Sequence, residues 1–181
     1  MTRSTFLDEL SAYEPADARE AAMRDRMIAF VAAHTDPFAR SLEIGHVTAS
    51  AWIVDAARTR ALLTHHRKLG RWLQLGGHAD GDPDVRRAAL REAREESGLT
   101  TLRFICDRIY DLDIHTIPAR PDEPAHDHYD VRFAFEADAA ERLVVSPESK
   151  DVAWVPLAAL AGVGADESVL RLARKTSALT G

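Results

Sequence analysis

Apolar positions recur at helical spacing near the start of the chain. Phe6, Leu7 and Leu10 repeat at that interval and stop before Pro15. Ala21, Met23, Met27, Ile28, Val31 and Ala32 carry the same stripe through residues 16–34. Thr35-Asp36-Pro37-Phe38 then reads as a turn. From His46 the texture becomes β-rich: residues 46–54 and 60–65 predict two strands joined by a hairpin loop at 55–59. Residues 69–75, with Trp72 and Leu73, lead into Gly76-Gly77. Residues 84–97 hold strong helix formers and end at Gly98, a natural left-handed C-cap. Residues 102–117 predict one long strand, the proline-rich stretch 118–125 a loop, 129–135 and 151–155 further strands, and 157–179 one or two helices. This irregular alternation, without internal repeat, predicts an α/β fold in which helices pack on a mixed sheet. The N-terminal stripe is expected to pack either over that sheet or against a second subunit of a homodimer.

The most informative segment is GGHADGDPDVRRAALREAREESGL, residues 76–99. On a helix advancing about 100° per residue, Glu92, Glu95 and Glu96 share a face with Val85, Ala88, Ala89 and Leu99, while Arg86, Arg87 and Arg94 lie opposite. Small apolar residues let a helix sit close to a sheet, so this face is the one expected to be covered. Covering several like charges together is unfavourable unless something compensates them. A hard cation does so, since carboxylate oxygens are what Mg²⁺ or Mn²⁺ prefers. The competing reading is a solvated helix laced with Glu–Arg pairs. Gly76-Gly77 favours a site, because backbone without side chains can approach a metal or a phosphate.

Composition narrows the partners. The 181 residues suit one globular domain with a sizeable core, and 46% hydrophobic and 29% charged residues are ordinary for a soluble protein. A formal charge of −6 argues against a nucleic-acid polymer as partner, yet leaves room for a small phosphorylated ligand. Cys106 is the single cysteine, so no internal disulfide forms. Residues 1–19 show no apolar core of a signal peptide, and no apolar run approaches the roughly 18 residues that span a bilayer. The expectation is a cytoplasmic protein without a membrane partner.

Residues 77–99 resemble the Nudix box, G-x5-E-x7-R-E-U-x-E-E-x-G-U with U aliphatic. Gly77, Arg91, Glu92, Glu95, Glu96, Gly98 and Leu99 fall in register, with Ala93 at the first U position. The first Glu of the box is replaced by Pro83, flanked by Asp82 and Asp84. In the family that Glu is mainly structural and pairs with the box Arg, so Asp82 or Asp84 is expected to contact Arg91 instead, with Pro83 fixing the first helical turn. The resemblance implies a Nudix fold, an α/β/α sandwich around a mixed sheet, over residues 46–181, preceded by a helical extension over residues 1–45. Glu148, Asp151 and Trp154 look like the family's late acidic-plus-Trp segment. It further implies a hydrolase that cuts a phosphoanhydride bond in a nucleoside diphosphate linked to another moiety. Glu92, Glu95, Glu96 and the Gly77 carbonyl would hold Mg²⁺ or Mn²⁺, and Arg91 would orient the glutamates. Glu92, Glu95 and Glu148 are alternative general bases.

Other groups are weighed beside this. Arg67, Lys68 and Arg71 precede the glycine pair and are candidate phosphate contacts, or simply a solvated basic turn. Asp113 and His115 alternate on one strand, and His126, His128 and Asp130 on another. If these strands pair, they form a second metal site or a polar substrate wall; the substrate wall is preferred, and His46 and His78 are candidates to face it. Cys106 lies beside Phe104 and Ile105 and reads as a small core residue. It lacks the setting that an isopentenyl diphosphate isomerase would require. A non-catalytic nucleotide sensor of the same fold is the other alternative, favoured only by Pro83.

Overall fold

The computed structural model describes residues 1–121, 123–147 and 149–179. Helices α1 (Arg3–Ala12) and α2 (Ala18–Ala33) come first. Strands β1 (Gly45–Asp55), β2 (Arg60–His66), β3 (Trp72–Leu73) and β4 (Leu75–His78) lead to α3 (Val85–Ser97). Strands β5 (Arg103–Phe104), β6 (Asp111–Ile117), β7 (His126–Ala137) and β8 (Ser149–Pro156) follow, then a 3₁₀ helix (Leu157–Val163) and α4 (Glu167–Thr176). The strands form one sheet in the order β3-β2-β1-β7-β5, with β4 on β1, β6 on β7 and β8 on β2. This is the α/β arrangement expected, a mixed sheet flanked by helices.

The chain divides into two compact units. The first takes residues 1–49, 77–89 and 108–132, and therefore holds α1, α2, β6, and parts of β1, β4, α3 and β7. Both N-terminal helices begin on side-chain caps: Thr2 accepts from the Thr5 N–H, and Asp17 from the Glu20 N–H. Phe6, Leu10, Met23, Met27 and Val31 of their apolar stripe are buried, Leu7, Ala21 and Ile28 half-buried and Ala32 exposed, with Phe6 edge-on to Phe38 and Phe30 stacked on Tyr129 at 3.9 Å. The helices thus pack on a strand of the sheet, which is one of the two outcomes the stripe allowed. Arg86 ties α3 to α1 through Glu9 at 2.9 Å.

The second unit takes residues 50–76, 90–107 and 133–179 of the described chain. Its core gathers Trp52, Ile53, Leu62, Leu63, Phe133, Phe135, Leu160 and Leu172. The buried Trp52 indole donates to the Thr176 hydroxyl at 2.9 Å, so the largest side chain of this core leaves no orphan donor. β8 pairs with β2 along its whole length, Arg60 opposite Pro156 through His66 opposite Ser149.

The long strand expected over residues 102–117 is interrupted. Residues 103–104 pair with Glu136 and Phe135, residues 111–117 pair with residues 126–132, and the segment between leaves the ladder. Cys106-Asp107-Arg108 carries polar groups into a bend there, where an apolar alternation would have continued the strand. The Ile105 N–H still reaches the Ala134 carbonyl at 3.0 Å, and that of Tyr110 the Arg132 carbonyl at 2.8 Å.

Candidate active site and a histidine cluster

Within the second unit, α3 presents the box residues unequally. Glu96 is buried and accepts a hydrogen bond from the Gly76 N–H at 2.9 Å, which joins the glycine turn to the helix. Glu92 is largely covered, and its Oε1 lies 2.7 Å from Arg91 Nη1. Glu95 points outward with 61% of its side chain exposed, 3.5 Å from the same Arg91 nitrogen. At about 100° per residue, position 96 falls about 40° from position 92 on one side and position 95 about 60° from it on the other, so position 95 lies farther round toward the rim. The face expected to hold all three carboxylates therefore covers two of them and leaves the third at its rim. Arg91 bridges Glu92 and Glu95, a geometry that orients both carboxylates.

The helix ends on Gly98 at φ 73°, where any side chain would be strained. A Cβ there would also meet Val144 Cγ2 at 2.7 Å. Glycine at this box position is thus required by both backbone conformation and contact.

Asp82 and Asp84 serve other partners than the Arg91 expected of them. Asp82 grips Arg87 through two bonds of 2.8 and 2.7 Å, and its carboxyl is shifted down. Burial pulls that carboxyl upward, and the Asp84 N–H and the Arg87 guanidinium outweigh it. Asp84 accepts from the Arg87 N–H at 3.2 Å and lies 3.6 Å from the Met1 ammonium. Pro83 precedes the helix, so its neighbours cap the first turn, and Arg87 stands one turn nearer to them than Arg91 does.

The basic turn is split. Arg67 donates to the backbone carbonyls of Pro147 (3.1 Å) and Ser149 (2.8 Å), which is a structural engagement. Lys68 and Arg71 are exposed on a tight turn closed by the Gly70 N–H on the His66 carbonyl at 2.8 Å. Glu148 lies outside the described residues.

Within the first unit, β6 and β7 pair in the register that the alternation required, Asp113 opposite Asp130 and His115 opposite His128. Two carboxyl groups directly opposed would repel, and Arg132 resolves this. Its fully buried guanidinium reaches Asp130 at 2.8 Å, Asp111 at 3.2 Å and Asp113 at 3.3 Å. Thr48 donates to the other Asp130 oxygen at 3.1 Å. Asp130 is thereby part of an ion network. Arg132 escaped the sequence reading, although its alternation with His126, His128 and Asp130 was the available signal.

Beyond this network, five histidines converge. The His46 ring lies 5.1 Å from His78, 4.9 Å from His128 and 5.1 Å from His126, centroid to centroid. His128 touches His78 and His115, each at 5.4 Å. Gly45 makes the approach possible: at φ 151°, a Cβ would strike the Asp127 carbonyl oxygen at 2.5 Å, so only glycine lets β1 come this close to β7. His46 is 1% exposed, and neither ring nitrogen makes a well-formed hydrogen bond among the described residues. An orphaned buried polar group of this kind costs about 1–3 kcal/mol. Burial, reinforced by His126 and Arg40, lowers its pKa, while the Leu42 backbone, close to the ring but outside good hydrogen-bond geometry, raises it. Burial also lowers His78 to about 4 and His128 to about 2, aided by Arg40 for the former and by the surrounding histidines for the latter. His115 moves the other way. Burial opposes its charging, but the Asp113 hydrogen bond at 3.3 Å and the Asp130 and Asp113 charges prevail. The sequence named His46 and His78 as possible companions of the strand pair; their convergence with His128 is what the structure adds.

Comparison with known proteins bears on the whole. The family model described as NUDIX domain matches residues 45–173. A structure of a C. elegans Ap4A hydrolase binary complex superposes with TM-score 0.58 at 21% identity, over 73% of this chain and 95% of that one. A NUDIX-family hydrolase from Clostridium perfringens gives TM-score 0.56 at 26% identity, over 75% of this chain and 98% of that one. RenU, a Nudix hydrolase from M. smegmatis, gives 0.52 at 18% identity, over 76% and 89%. No curated protein sequence matches. With the family model spanning most of the chain and the box glutamates and arginine in place on α3, the chain belongs to the NUDIX family and is a hydrolase acting on acid anhydrides.

Proposed function

We propose that this hydrolase is metal-dependent and cleaves a phosphoanhydride bond in a nucleoside diphosphate linked to a second group. The observation that carries this is the grouping on α3: Glu92 and Glu96 covered, Arg91 bridging Glu92 and Glu95, and Glu96 held by the Gly76 N–H. Glu92, Glu95 and Glu96 are an all-oxygen donor set, which fits Mg²⁺ or Mn²⁺. When bound, such a cation neutralises diphosphate charge and acidifies a coordinated water. The protein's own residues do the rest. Arg91 keeps the carboxylates of Glu92 and Glu95 in place. Glu92, Glu95 or Glu148 takes the proton of the attacking water. Lys68 and Arg71 are the remaining phosphate contacts of the basic turn, Arg67 being engaged with backbone carbonyls.

The test is hydrolysis of a panel with Mg²⁺ or Mn²⁺: nucleoside diphosphate sugars, ADP-ribose, coenzyme A, nucleoside triphosphates and Ap4A, the last because one structural neighbour is an Ap4A hydrolase. Turnover that falls at least ~100-fold in Glu92→Gln and Glu96→Gln, and disappears with chelator, supports the reading and names the substrate class. Mg²⁺ binding without turnover across the panel would favour a ligand sensor, with Pro83→Glu the first reversion to make.

A further inference from the structure

We propose that His46, His78 and His128 form a second metal site, separate in chemistry from the glutamates, that takes a borderline transition-metal cation of the Zn²⁺ class. One ligand nitrogen from each of these residues lies within 4.8 Å of the others, and among the described residues this is the group so arranged. With metal–nitrogen bonds of about 2.1 Å and tetrahedral angles, imidazoles sharing one ion have ring centroids roughly 5 Å apart. The observed separations are 5.1, 4.9 and 5.4 Å. Ring packing alone would also give such distances, but it would not leave His46 buried with neither nitrogen in a well-formed hydrogen bond. A buried imidazole normally spends its N–H and its lone pair on neighbours. Here the ring neighbours are other imidazoles, with the Leu42 backbone and Arg40 also close by, and a cation is the partner that satisfies several lone pairs at once.

His126 stands beside the trio without belonging to the group that shares that 4.8 Å spacing. His126 Nδ1 lies 2.9 Å from the Pro124 carbonyl, so Nδ1 must carry the proton, and the lone pair is assigned to Nε2. That Nε2 lies 3.3 Å from His128 Nε2. The bond to the Pro124 carbonyl fixes the His126 tautomer and so the side of the ring it turns toward His128.

Electrostatics select a cation over an anionic ligand. Neutral imidazoles are the form that ligates metals and the form that offers a phosphate no charge. Behind them lie Asp111, Asp113 and Asp130 around the single guanidinium of Arg132, formally −2. His115 links that network to the cluster, bonded to Asp113 and in ring contact with His128. Glu123 is 3.8 Å from His126 Nε2. Arg40 is the opposing charge that the cation must outweigh. The all-nitrogen donor set suits Zn²⁺, Co²⁺, Ni²⁺ or Cu²⁺ and is poor for Mg²⁺.

The experiment titrates Zn²⁺ and Co²⁺ into the chelator-stripped full chain and into Glu92→Gln, His78→Asn and His128→Gln, each checked for folding by circular dichroism. The expected result is one equivalent of Co²⁺ bound by wild type and by Glu92→Gln, with the visible absorption of a four-coordinate ion. X-ray absorption should show nitrogen neighbours at about 2.0–2.1 Å. Affinity should fall at least ~100-fold in folded His78→Asn and His128→Gln. The proposal is overturned if wild type takes up no Co²⁺ or Zn²⁺, if uptake vanishes in Glu92→Gln, or if both histidine variants bind like wild type. Loss of Mg²⁺-dependent hydrolysis, by contrast, bears only on the glutamates.

Discussion

Arg132→Met removes the one cation from a buried cluster of three carboxyl groups. Arg132, Asp111, Asp113 and Asp130 have side chains 2, 0, 8 and 3% exposed, so solvent screens almost none of what is left behind. Each guanidinium nitrogen meets a different carboxylate, at 2.8, 3.2 and 3.3 Å, and methionine keeps the volume while discarding all three bonds. Breaking a buried pair by removing one partner costs about 3–5 kcal/mol, and here three acceptors lose their donor together. For a chain of this size the loss corresponds to a drop in Tm of roughly 6–20 °C. The sign of its pH dependence follows. In the variant, crowded carboxyl groups take up protons more readily folded than unfolded, so the folded state binds more protons and stability rises as pH falls from 7 toward 5. Urea unfolding followed by circular dichroism at pH 7 and pH 5 measures both effects. Arg60→Met is the control, because the Arg60–Asp55 pair leaves 43% of the arginine exposed and should cost only about 0–1 kcal/mol. A loss at Arg132 no larger than at Arg60, or one that is unchanged by pH, would refute the claim that this guanidinium holds the cluster together.

Further expectations are narrower. Gly98→Ala forces alanine to φ 73° and onto Val144; thermal unfolding should show a loss of about 1–2 kcal/mol. Gly45→Ala should separate β1 from β7, because the Asp127 carbonyl lies 2.5 Å from the added Cβ; amide exchange in residues 126–129 should accelerate, and unchanged protection would contradict the contact. The Glu141 carboxylate is held down to about 2 by the hydroxyls of Thr100 and Thr101 and their backbone N–H groups. Its folded pKa lies below its unfolded one, so its stabilisation is present above the ordinary carboxylate range and is lost as pH falls through that interval toward 2. Glu141→Gln should flatten the acid limb of a pH–stability curve there, and an unaltered limb would discount these bonds.

The sequence by itself determined the box and the elements with a clear period. Glu92, Glu95, Glu96, Arg91 and Gly98 act within a single helix and its cap, so spacing along the chain is already spacing in space. The strand pattern of residues 126–132 likewise fixed which side chains share a face. Tertiary structure decided what depends on distant segments meeting. Asp82 turned to Arg87, and Arg67 to the carbonyls of Pro147 and Ser149, because local capping and loop closure were nearer than the partners assigned to them. The residues 102–117 broke into β5 and β6 because both pair along one longer strand, β7. Arg132 became the hub of three carboxylates only once β6 took its register on β7. The histidines come from β1, β4, β6 and β7, four segments whose convergence no periodicity encodes. Side-chain identity names the possible chemistry, but which groups cluster follows from strand order and from the glycine that lets two strands touch.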